Sequence, residues 1–395
     1  MMIKIINVLI FIFLAIFPFG QLTRLPFSLN PSVHLYLTDI LVFLIFFLWL
    51  LTFLKKKKYQ PPSLKKPILL FAGFALLSFL INLKNFALNE NTIAFLYWLR
   101  WIFYASLYFV VFDLKSKFKW LRWPEFKCYL MIVGSSVAVF GLIQYFWFPN
   151  LKALEVLQYD PHFYRVVGTF LDPGFTGIIL SLTLFLILFA WFDQKKKYLI
   201  PLGLVVYLAL ALTYSRASWL AFLLGAFLIF LRKKAWLFLL GIVFLSVVTF
   251  YLLPRPAGEG GKIERTYTVY ARLKNYQQTL FVAKKHPLLG VGFNTYRYVQ
   301  RDYGFLSQED WQISQSGAGA DSSFLLVLAT TGIFGFLSYL WFWGKALKEN
   351  KKNLLVLVSL LIIMIHSFFL NSLFYPQIMA WMWLMVGSAE IKGNS

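Results

Sequence analysis

The chain has 395 residues, of which 60% are hydrophobic, 20% are aromatic and only 14% are charged. Its mean hydropathy of +0.69 lies outside the range of soluble domains and excludes a water-soluble protein. The net charge of +22 could suggest a nucleic-acid partner. We expect none, because the lysines form short clusters between apolar segments, as in membrane proteins. The single cysteine, Cys128, excludes an internal disulfide framework.

The apolar residues fall into about twelve segments long enough to cross a bilayer. In chain order they cover residues 5–20, 35–54, 67–83, 93–112, 128–148, 168–192, 198–214, 216–231, 235–253, 321–343, 353–373 and 376–391. The first segment could be a signal peptide, but it lacks a small-x-small cleavage site and many spans follow it, so we expect a retained span. The pattern predicts an all-α, polytopic transmembrane helix bundle that forms a single integral membrane domain over residues 1–395.

Basic clusters follow every second segment. They lie at residues 55–58 with 65–66, 115–127, 195–197, 232–234 and 345–352. Basic loops remain in the cytoplasm, so the alternation predicts that both termini are cytoplasmic. It also places the odd-numbered loops on the outer face.

The connection 254–320 is the only loop large enough to hold structure of its own. Its first part, "ERTYTVYARLKNYQQTLFVAKKHP", has apolar residues at one-sided helical spacing, namely Val269, Leu273, Tyr276, Leu280 and Ala283. Pro287 and the glycines of "GVGF" should end this helix. We expect an amphipathic helix on the outer membrane face in an extracytoplasmic loop between spans 9 and 10.

Several polar residues are predicted to share the outer face. They are Asp39, Arg165, Asp172, Arg216, Arg272 and Asp321. Guanidinium groups bind diphosphates through paired, charge-assisted hydrogen bonds, and diphosphates at a membrane surface belong to lipid carriers. A carboxylate near a bound sugar can accept a proton from an attacking hydroxyl. The arginines would stabilise the charge that develops on a leaving phosphate.

Each of these residues also has a structural explanation. Arg216 could anchor a turn at the level of the lipid headgroups, and Arg272 could bind anionic lipid. Asp321 could be the N-cap of the tenth span. Gly332 and Gly335 could allow close helix packing.

A second group of observations concerns buried charge and metals. Arg100 lies well inside the fourth segment, where a charge is costly, so we expect a carboxylate partner, Asp39 or Asp172. The four histidines, His34, His162, His286 and His366, show no ligand spacing, so we assign no metal and no cofactor.

Four local patterns resemble those of the O-antigen ligase/O-antigen polymerase family, bacterial membrane glycosyltransferases that use undecaprenyl-diphosphate-linked glycans. They are "RVVGTFLDPGFTG" at 165–177, "LTYSRAS" at 212–218, "ARLKNYQQTLFVAKKHPLLGVGFNTY" at 271–296 and "DSSFLLVLATTGIFGFL" at 321–337. The four occur in the family's order and on the predicted side of the membrane. The resemblance implies a glycosyltransferase in the cytoplasmic membrane whose active site is extracytoplasmic.

The resemblance also implies residue roles. Arg216 and Arg272 match the arginines associated with the lipid diphosphate, and Asp321 stands where the ligases carry a histidine that helps to activate the acceptor. Nearby arginines would lower the pKa of Asp321 and burial would raise it, so we expect the carboxylate to take the proton late in the reaction. Together these predict Asp321, Arg216 and Arg272 as catalytic residues. The predicted substrate-binding residues are Arg165, Asp172, Arg100, Ser322 and Asp39.

Polymerisation is the favoured activity, with a lipid-linked glycan donor, a glycan or lipid-linked acceptor and membrane lipids as partners. The aspartate at 321 departs from the ligase histidine, and the loop 254–320 has a moderate surplus of nine basic over five acidic residues. A ligase that uses lipid A–core, as in lipopolysaccharide assembly, or another acceptor is the alternative. A transporter or flippase of a lipid-linked or anionic solute would explain the arginines but not the long loop, and a non-catalytic assembly partner is a further alternative.

Overall fold

The computed structural model describes residues 1–26, 34–56, 59–157, 162–254, 266–306 and 319–391. Within these ranges the regular structure is helical, and β-type pairing is confined to two isolated bridges. The small polar run 310–318, which precedes the tenth predicted span, lies outside the described residues. The predicted all-α class is therefore confirmed for the described part of the chain.

A helix occupies each of the twelve predicted apolar segments. The helices in chain order are α1 Met2–Ile16, α2 Leu37–Leu54, α3 Lys65–Ile81, α4 Leu88–Leu114, α5 Trp123–Trp147, α6 Pro173–Gln194, α7 Leu199–Ala211, α8 Arg216–Lys233, α9 Trp236–Leu252, α10 Tyr267–Lys285, α11 Tyr296–Asp302, α12 Ser323–Glu349, α13 Leu354–His366 and α14 Pro376–Ala389. Helices α10 and α11 lie in the long connection between α9 and α12. Helical backbone is required of apolar segments in lipid, since a helix satisfies its own backbone polar groups.

Six of these helical stretches are long and apolar enough to cross a membrane. They are Met2–Thr23, Leu37–Leu54, Leu88–Leu114, Trp123–Trp147, Pro173–Gln194 and Ser323–Glu349. Three shorter apolar helices, α7, α9 and α13, accompany them. The chain is thus a helical membrane protein, whereas the count of twelve spans and the assignment of loops to sides remain predictions.

Helix α14 lies at the centre of the bundle and packs most extensively against α4. Its residues are buried from Pro376 to Ser388, and its apolar side chains pack against neighbouring helices on every side. Helix α9 is the opposite case, because Ser246 is its one buried residue. The bundle therefore has a central apolar helix and a peripheral one.

Helix α10 forms where the loop helix is predicted, and it ends at Lys285, before Pro287. One side packs on the protein through Thr279 and Val282, both fully buried. Leu273 and Leu280, which belong to the predicted apolar stripe, remain 50% and 40% exposed. This exposed stripe is available for the predicted contact with the membrane surface.

Helix α12 is broken at Gly332, which has φ 63° and ψ −167°. From the sequence, Gly332 is expected to allow close helix packing. In the structure it has a positive φ, a backbone conformation that residues with a Cβ atom avoid. A Cβ atom at Gly332 would lie 2.2 Å from the carbonyl oxygen of Leu288. At Gly335, the other predicted packing glycine, the nearest atom to a Cβ would be the Thr331 hydroxyl of the same helix, at 2.1 Å.

The segment 287–292, "PLLGVG", seals this break. Its backbone pairs with α12 through four hydrogen bonds: Val291 N–H to the Ala329 carbonyl at 3.1 Å, Gly292 N–H to the Thr330 carbonyl at 3.1 Å, Ile333 N–H to the Pro287 carbonyl at 2.8 Å, and Phe334 N–H to the Leu288 carbonyl at 3.5 Å. These bonds satisfy carbonyl and N–H groups that lose helical partners at the break. The long loop is thereby joined to the interior of the bundle.

Candidate active site

The turn between α7 and α8 places Arg216 as the first residue of α8. Ser215 caps this helix, since its hydroxyl accepts a hydrogen bond from the Ser218 N–H at 3.4 Å. Arg165 is buried beside the turn, and its Nε donates to the Thr213 carbonyl at 3.0 Å. The predicted substrate-binding residue Arg165 therefore also supports the turn that carries Arg216.

Asp172, also predicted to bind substrate, is the N-cap of α6. Its Oδ1 accepts hydrogen bonds from the N–H groups of Gly174 at 2.7 Å and Phe175 at 2.8 Å. A carboxylate at a helix N-terminus is stabilised by these donors and by the helix dipole. The sequence "LDPG" places the aspartate just before Pro173, the first helical residue, as expected for a helix start.

Helix α10 connects Arg272 to the chain around Asp321. Asn275, one turn after Arg272, accepts the backbone N–H of Asp321 on its Oδ1 at 2.8 Å and donates from Nδ2 to the Gly319 carbonyl at 3.2 Å. We name this pair of contacts the Asn275 clasp. It brings the predicted acid and the predicted loop arginine together from segments almost fifty residues apart.

Burial raises the pKa of Asp321, and the positive charge of Arg272 partly offsets that rise. Of the two opposing effects expected from the sequence, desolvation is thus the larger. Tyr276, beside Arg272 on α10, is near the same charges: burial raises its pKa, the charge of Arg272 partly offsets that rise, and the Asp321 carboxylate adds to it. An aspartate with a raised pKa is better matched to proton transfer near neutral pH than an ordinary one.

Asp321 itself does not cap α12. Ser322 is the N-cap, and its hydroxyl accepts the Leu325 N–H at 3.4 Å. The suggested capping role of Asp321 is therefore wrong by one residue, which leaves its carboxylate to other interactions. Ser322, predicted to bind substrate, is buried in the capping role, and Ser323 donates from Oγ to Asn371 Oδ1 at 3.0 Å.

Arg216 and Arg272 come from different helices but lie close enough for their charges to repel each other. Like charges in a partly desolvated place are unfavourable unless an anion offsets them. A phosphate group is such an anion, and two guanidinium groups can donate several charge-assisted hydrogen bonds to it. Arg216, Arg272 and Asp321 therefore form one electrostatic cluster, which we call the Arg216–Asp321 site.

His366 is a residue of this region to which the sequence assigns no role. It is fully buried at the end of α13, with Nε2 3.2 Å from the Ser218 hydroxyl and Nδ1 2.6 Å from the Ser372 hydroxyl. The charge of Arg272 reaches it as well. Ser218 lies 148 residues earlier in the chain, so spacing in the sequence could not reveal this contact.

Arg100 and Asp39 form an ion pair, with Nη2 and Oδ2 2.7 Å apart. The prediction that a carboxylate neutralises Arg100 is confirmed, with Asp39 rather than Asp172 as the partner. Asp39 also accepts hydrogen bonds from the Tyr104 hydroxyl at 3.0 Å and the Tyr36 N–H at 3.1 Å. This pair lies beside His34, whose carbonyl accepts a hydrogen bond from Arg100. The pair is not part of the Arg216–Asp321 site.

Within the described ranges, no group of three His, Cys, Asp or Glu side chains is arranged to hold a metal ion. The Arg216–Asp321 site has instead two cations and one carboxylate. Its chemistry is suited to an anionic leaving group and a hydroxyl nucleophile.

Residues 201–340 match the family model described as O-antigen ligase. The matched segment contains Arg216, Arg272 and Asp321, and the resemblance stated from the sequence is confirmed. A search of the curated proteins finds no match for the chain.

Proposed function

We propose that this protein, a member of the O-antigen ligase/polymerase family, polymerises undecaprenyl-diphosphate-linked glycans at the outer face of the cytoplasmic membrane. The observation that supports the proposal most directly is the meeting of Arg216, Arg272 and Asp321 from α8, α10 and the start of α12. A diphosphate and a hydroxyl are the groups that such a cluster accommodates.

In the proposed reaction the acceptor hydroxyl oxygen attacks the anomeric carbon of the donor sugar. A new carbon–oxygen bond forms as the bond from that carbon to the diphosphate oxygen breaks, and the electron pair leaves with the diphosphate. Arg216 and Arg272 stabilise the charge that grows on the leaving group. Asp321 accepts the hydroxyl proton late in the step and later releases it to water.

A ligase proper, with lipid A–core or another separate acceptor, is the second candidate. The observation in its favour is the description of the matched family model. Transport of an anionic lipid would also need cations, but it would not need a carboxylate whose pKa burial raises. A glycosyltransferase accounts for both kinds of group.

The deciding experiment incubates purified protein with lipid-linked repeat units alone and then with an added acceptor. Longer lipid-linked chains from repeat units alone support polymerisation. Transfer that occurs only after a core acceptor is added would establish the ligase instead. Turnover in neither arm, together with movement of the lipid across a bilayer, would favour the flippase.

Substitution of the arginines tests the site itself. Arg272→Ala and Arg216→Ala should each remove most activity, because a charged hydrogen bond to phosphate contributes about 1.5–3 kcal/mol. Lysine should restore little, since it lacks the guanidinium fork. Matched controls are Lys274→Ala on α10 and Arg232→Ala on α8, both exposed, and both should retain activity.

A further inference from the structure

Three consecutive residues at the end of α13 contact the three segments that carry the Arg216–Asp321 site. His366 ends the helix, and Ser367 and Phe368 follow it. The side chain of His366 meets Ser218 on α8, whereas the backbone carbonyls of Ser367 and Phe368 accept hydrogen bonds from α12 and α10. We call these three residues the 366–368 anchor. It is the place where α8, α10 and the start of α12 are joined.

The start of α12 is held at the anchor by a hydrogen bond and a ring contact. The N–H of Ser323 donates to the Ser367 carbonyl at 2.9 Å. The ring of Phe324 stacks on that of Phe368, with the two centroids 4.8 Å apart. Ser323 is two residues after Asp321, so the end of α13 helps to set the position of the predicted acid.

Helix α10 is held at the same anchor. The Tyr276 hydroxyl donates to the Phe368 carbonyl, and Tyr276 lies one turn after Arg272 on α10. A peptide carbonyl is present whatever the side chain of its residue, so neither carbonyl contact of the anchor depends on a particular side chain there. The contact with α8 differs, because it depends on the imidazole of His366.

The hydroxyl of Ser218 is the acceptor for that imidazole. Ser218 is fully buried, and its Oγ donates to the Gly174 carbonyl at 3.1 Å. A hydroxyl has one proton to donate. With that proton on Gly174, Oγ accepts hydrogen bonds from the Ser215 hydroxyl at 2.8 Å and from His366 Nε2 at 3.2 Å. Nε2 therefore carries the proton, and in a ring with one proton Nδ1 accepts from the Ser372 hydroxyl, 2.6 Å away.

These hydrogen bonds fix the first turn of α8. Ser215 is the N-cap of the helix and Arg216 its first residue. Helix α6 also lies against this turn, since a Cβ atom at Gly177 would be 2.4 Å from Ser218 Oγ. The bond from His366 is one of three at this hydroxyl, and it is the one that joins the start of α8 to the anchor.

We propose that His366 is a positioning residue for the transfer reaction, which holds the start of α8, and with it Arg216, at a fixed place relative to Asp321. The inference rests on the proposed function and adds a residue to its machinery. His366 is fully buried, so it acts through Ser218 rather than on the substrate. Such an effect is large in enzymes, because a displacement of about 1 Å can lower a rate about a hundredfold.

Two substitutions at position 366 separate the roles of the two ring nitrogens. The amide of glutamine reaches as far from the backbone as Nε2, so His366→Gln can keep the bond to Ser218. The amide of asparagine reaches only as far as Nδ1, so His366→Asn can keep the contact with Ser372. Each variant loses one of two buried contacts. A purely structural role therefore predicts similar losses, whereas positioning of Arg216 predicts that glutamine alone restores function.

The test measures the affinity of the full chain for undecaprenyl diphosphate in nanodiscs of phosphatidylcholine, per folded protein. His366→Asn should weaken binding by about tenfold or more, as expected when a charged hydrogen bond to phosphate is lost, and His366→Gln by less than about threefold. In an Arg216→Gln background, His366→Asn should have little further effect, because the cation that it positions is already gone. The matched control is His286→Asn, which removes a contact with the Tyr303 hydroxyl and none with α8, and it should leave the affinity unchanged.

Ser218→Ala keeps the proposal testable if His366→Asn fails to fold. It removes the hydroxyl through which His366 acts, so it should weaken binding as much as His366→Asn does. In the transfer reaction the unaltered protein and His366→Gln should have similar kcat values for each folded molecule. The values for His366→Asn and Ser218→Ala should be lower by about tenfold or more.

Two results would overturn the proposal. One is equal affinity of His366→Asn and His366→Gln, and the other is an equal loss from His366→Asn with and without Arg216. Both indicate a residue that contributes only to packing. Failure of the proposed function shows differently, because Arg216→Gln by itself would then bind undecaprenyl diphosphate as tightly as the unaltered protein does. The inference would fall with it.

Discussion

Alanine at position 332 should destabilise the protein severely. The backbone there, with φ 63° and ψ −167°, costs a residue with a Cβ about 1–3 kcal/mol. The added Cβ would also lie 2.2 Å from the Leu288 carbonyl oxygen, so the sealing segment 287–292 must move. Loss of one or two of its hydrogen bonds to α12 adds about 0.5–1.5 kcal/mol for each.

These contributions give an expected destabilisation of about 1.5–6 kcal/mol for Gly332→Ala, a large part of the ~5–15 kcal/mol that holds a typical protein folded. Gly344→Ala on the same helix is the matched control. Nothing lies within 4 Å of a Cβ at Gly344, and alanine is the better helix former by about 0.5–1 kcal/mol. The control should be neutral or slightly stabilising.

The assay is thermal unfolding of the two variants in the same detergent, followed by tryptophan fluorescence, together with the yield of folded protein from membranes. Gly332→Ala should show a clearly lower midpoint and a lower yield. Equal midpoints and yields for Gly332→Ala and Gly344→Ala would refute the reasoning, because the break in α12 would then tolerate a side chain.

Three further predictions concern the site. Asp321→Asn should abolish chain growth in the elongation assay, since the amide keeps the shape of the side chain but accepts no proton; growth at the normal rate would remove Asp321 from the mechanism. Burial raises the pKa of Asp321, so activity should fall with decreasing pH above the range of an ordinary aspartate. Arg272→Gln removes the charge that lowers this pKa, so its residual activity should fall at still higher pH, whereas Lys274→Gln should not shift the profile. His366→Leu should lower the unfolding midpoint, because the buried Ser372 hydroxyl loses its hydrogen bond to the ring at a cost of about 1–3 kcal/mol, and an unchanged midpoint would mean that this contact contributes nothing.

The positions of the helices could be predicted from the sequence because hydrocarbon leaves an apolar segment little choice of backbone structure. The partner of Arg100 followed from similar physics, since a charge at that depth demands an acid, and Asp39 was one of two within reach. Both inferences depend on properties of a single segment. They need no knowledge of how distant segments pack.

The features that sequence reasoning missed depend on contacts between distant segments. The break at Gly332 is held by residues 287–292, about forty positions earlier, so the glycine alone could not be distinguished from one that allows packing. His366 meets Ser218 only after α8 and α13 pack together. Whether the pKa of Asp321 is raised or lowered depends on the balance between burial and the charge of Arg272, and only the folded chain sets that balance.

The Asn275 clasp has a consequence for how the cluster meets its substrate. One amide side chain holds the backbone on both sides of residue 320, through the Gly319 carbonyl and the Asp321 N–H. Arg272 is on the same helix one turn away, so chain geometry rather than a bound ligand sets the position of the acid relative to the cation. The site is therefore preorganised, and little of the binding energy of a glycan need be spent on assembling it.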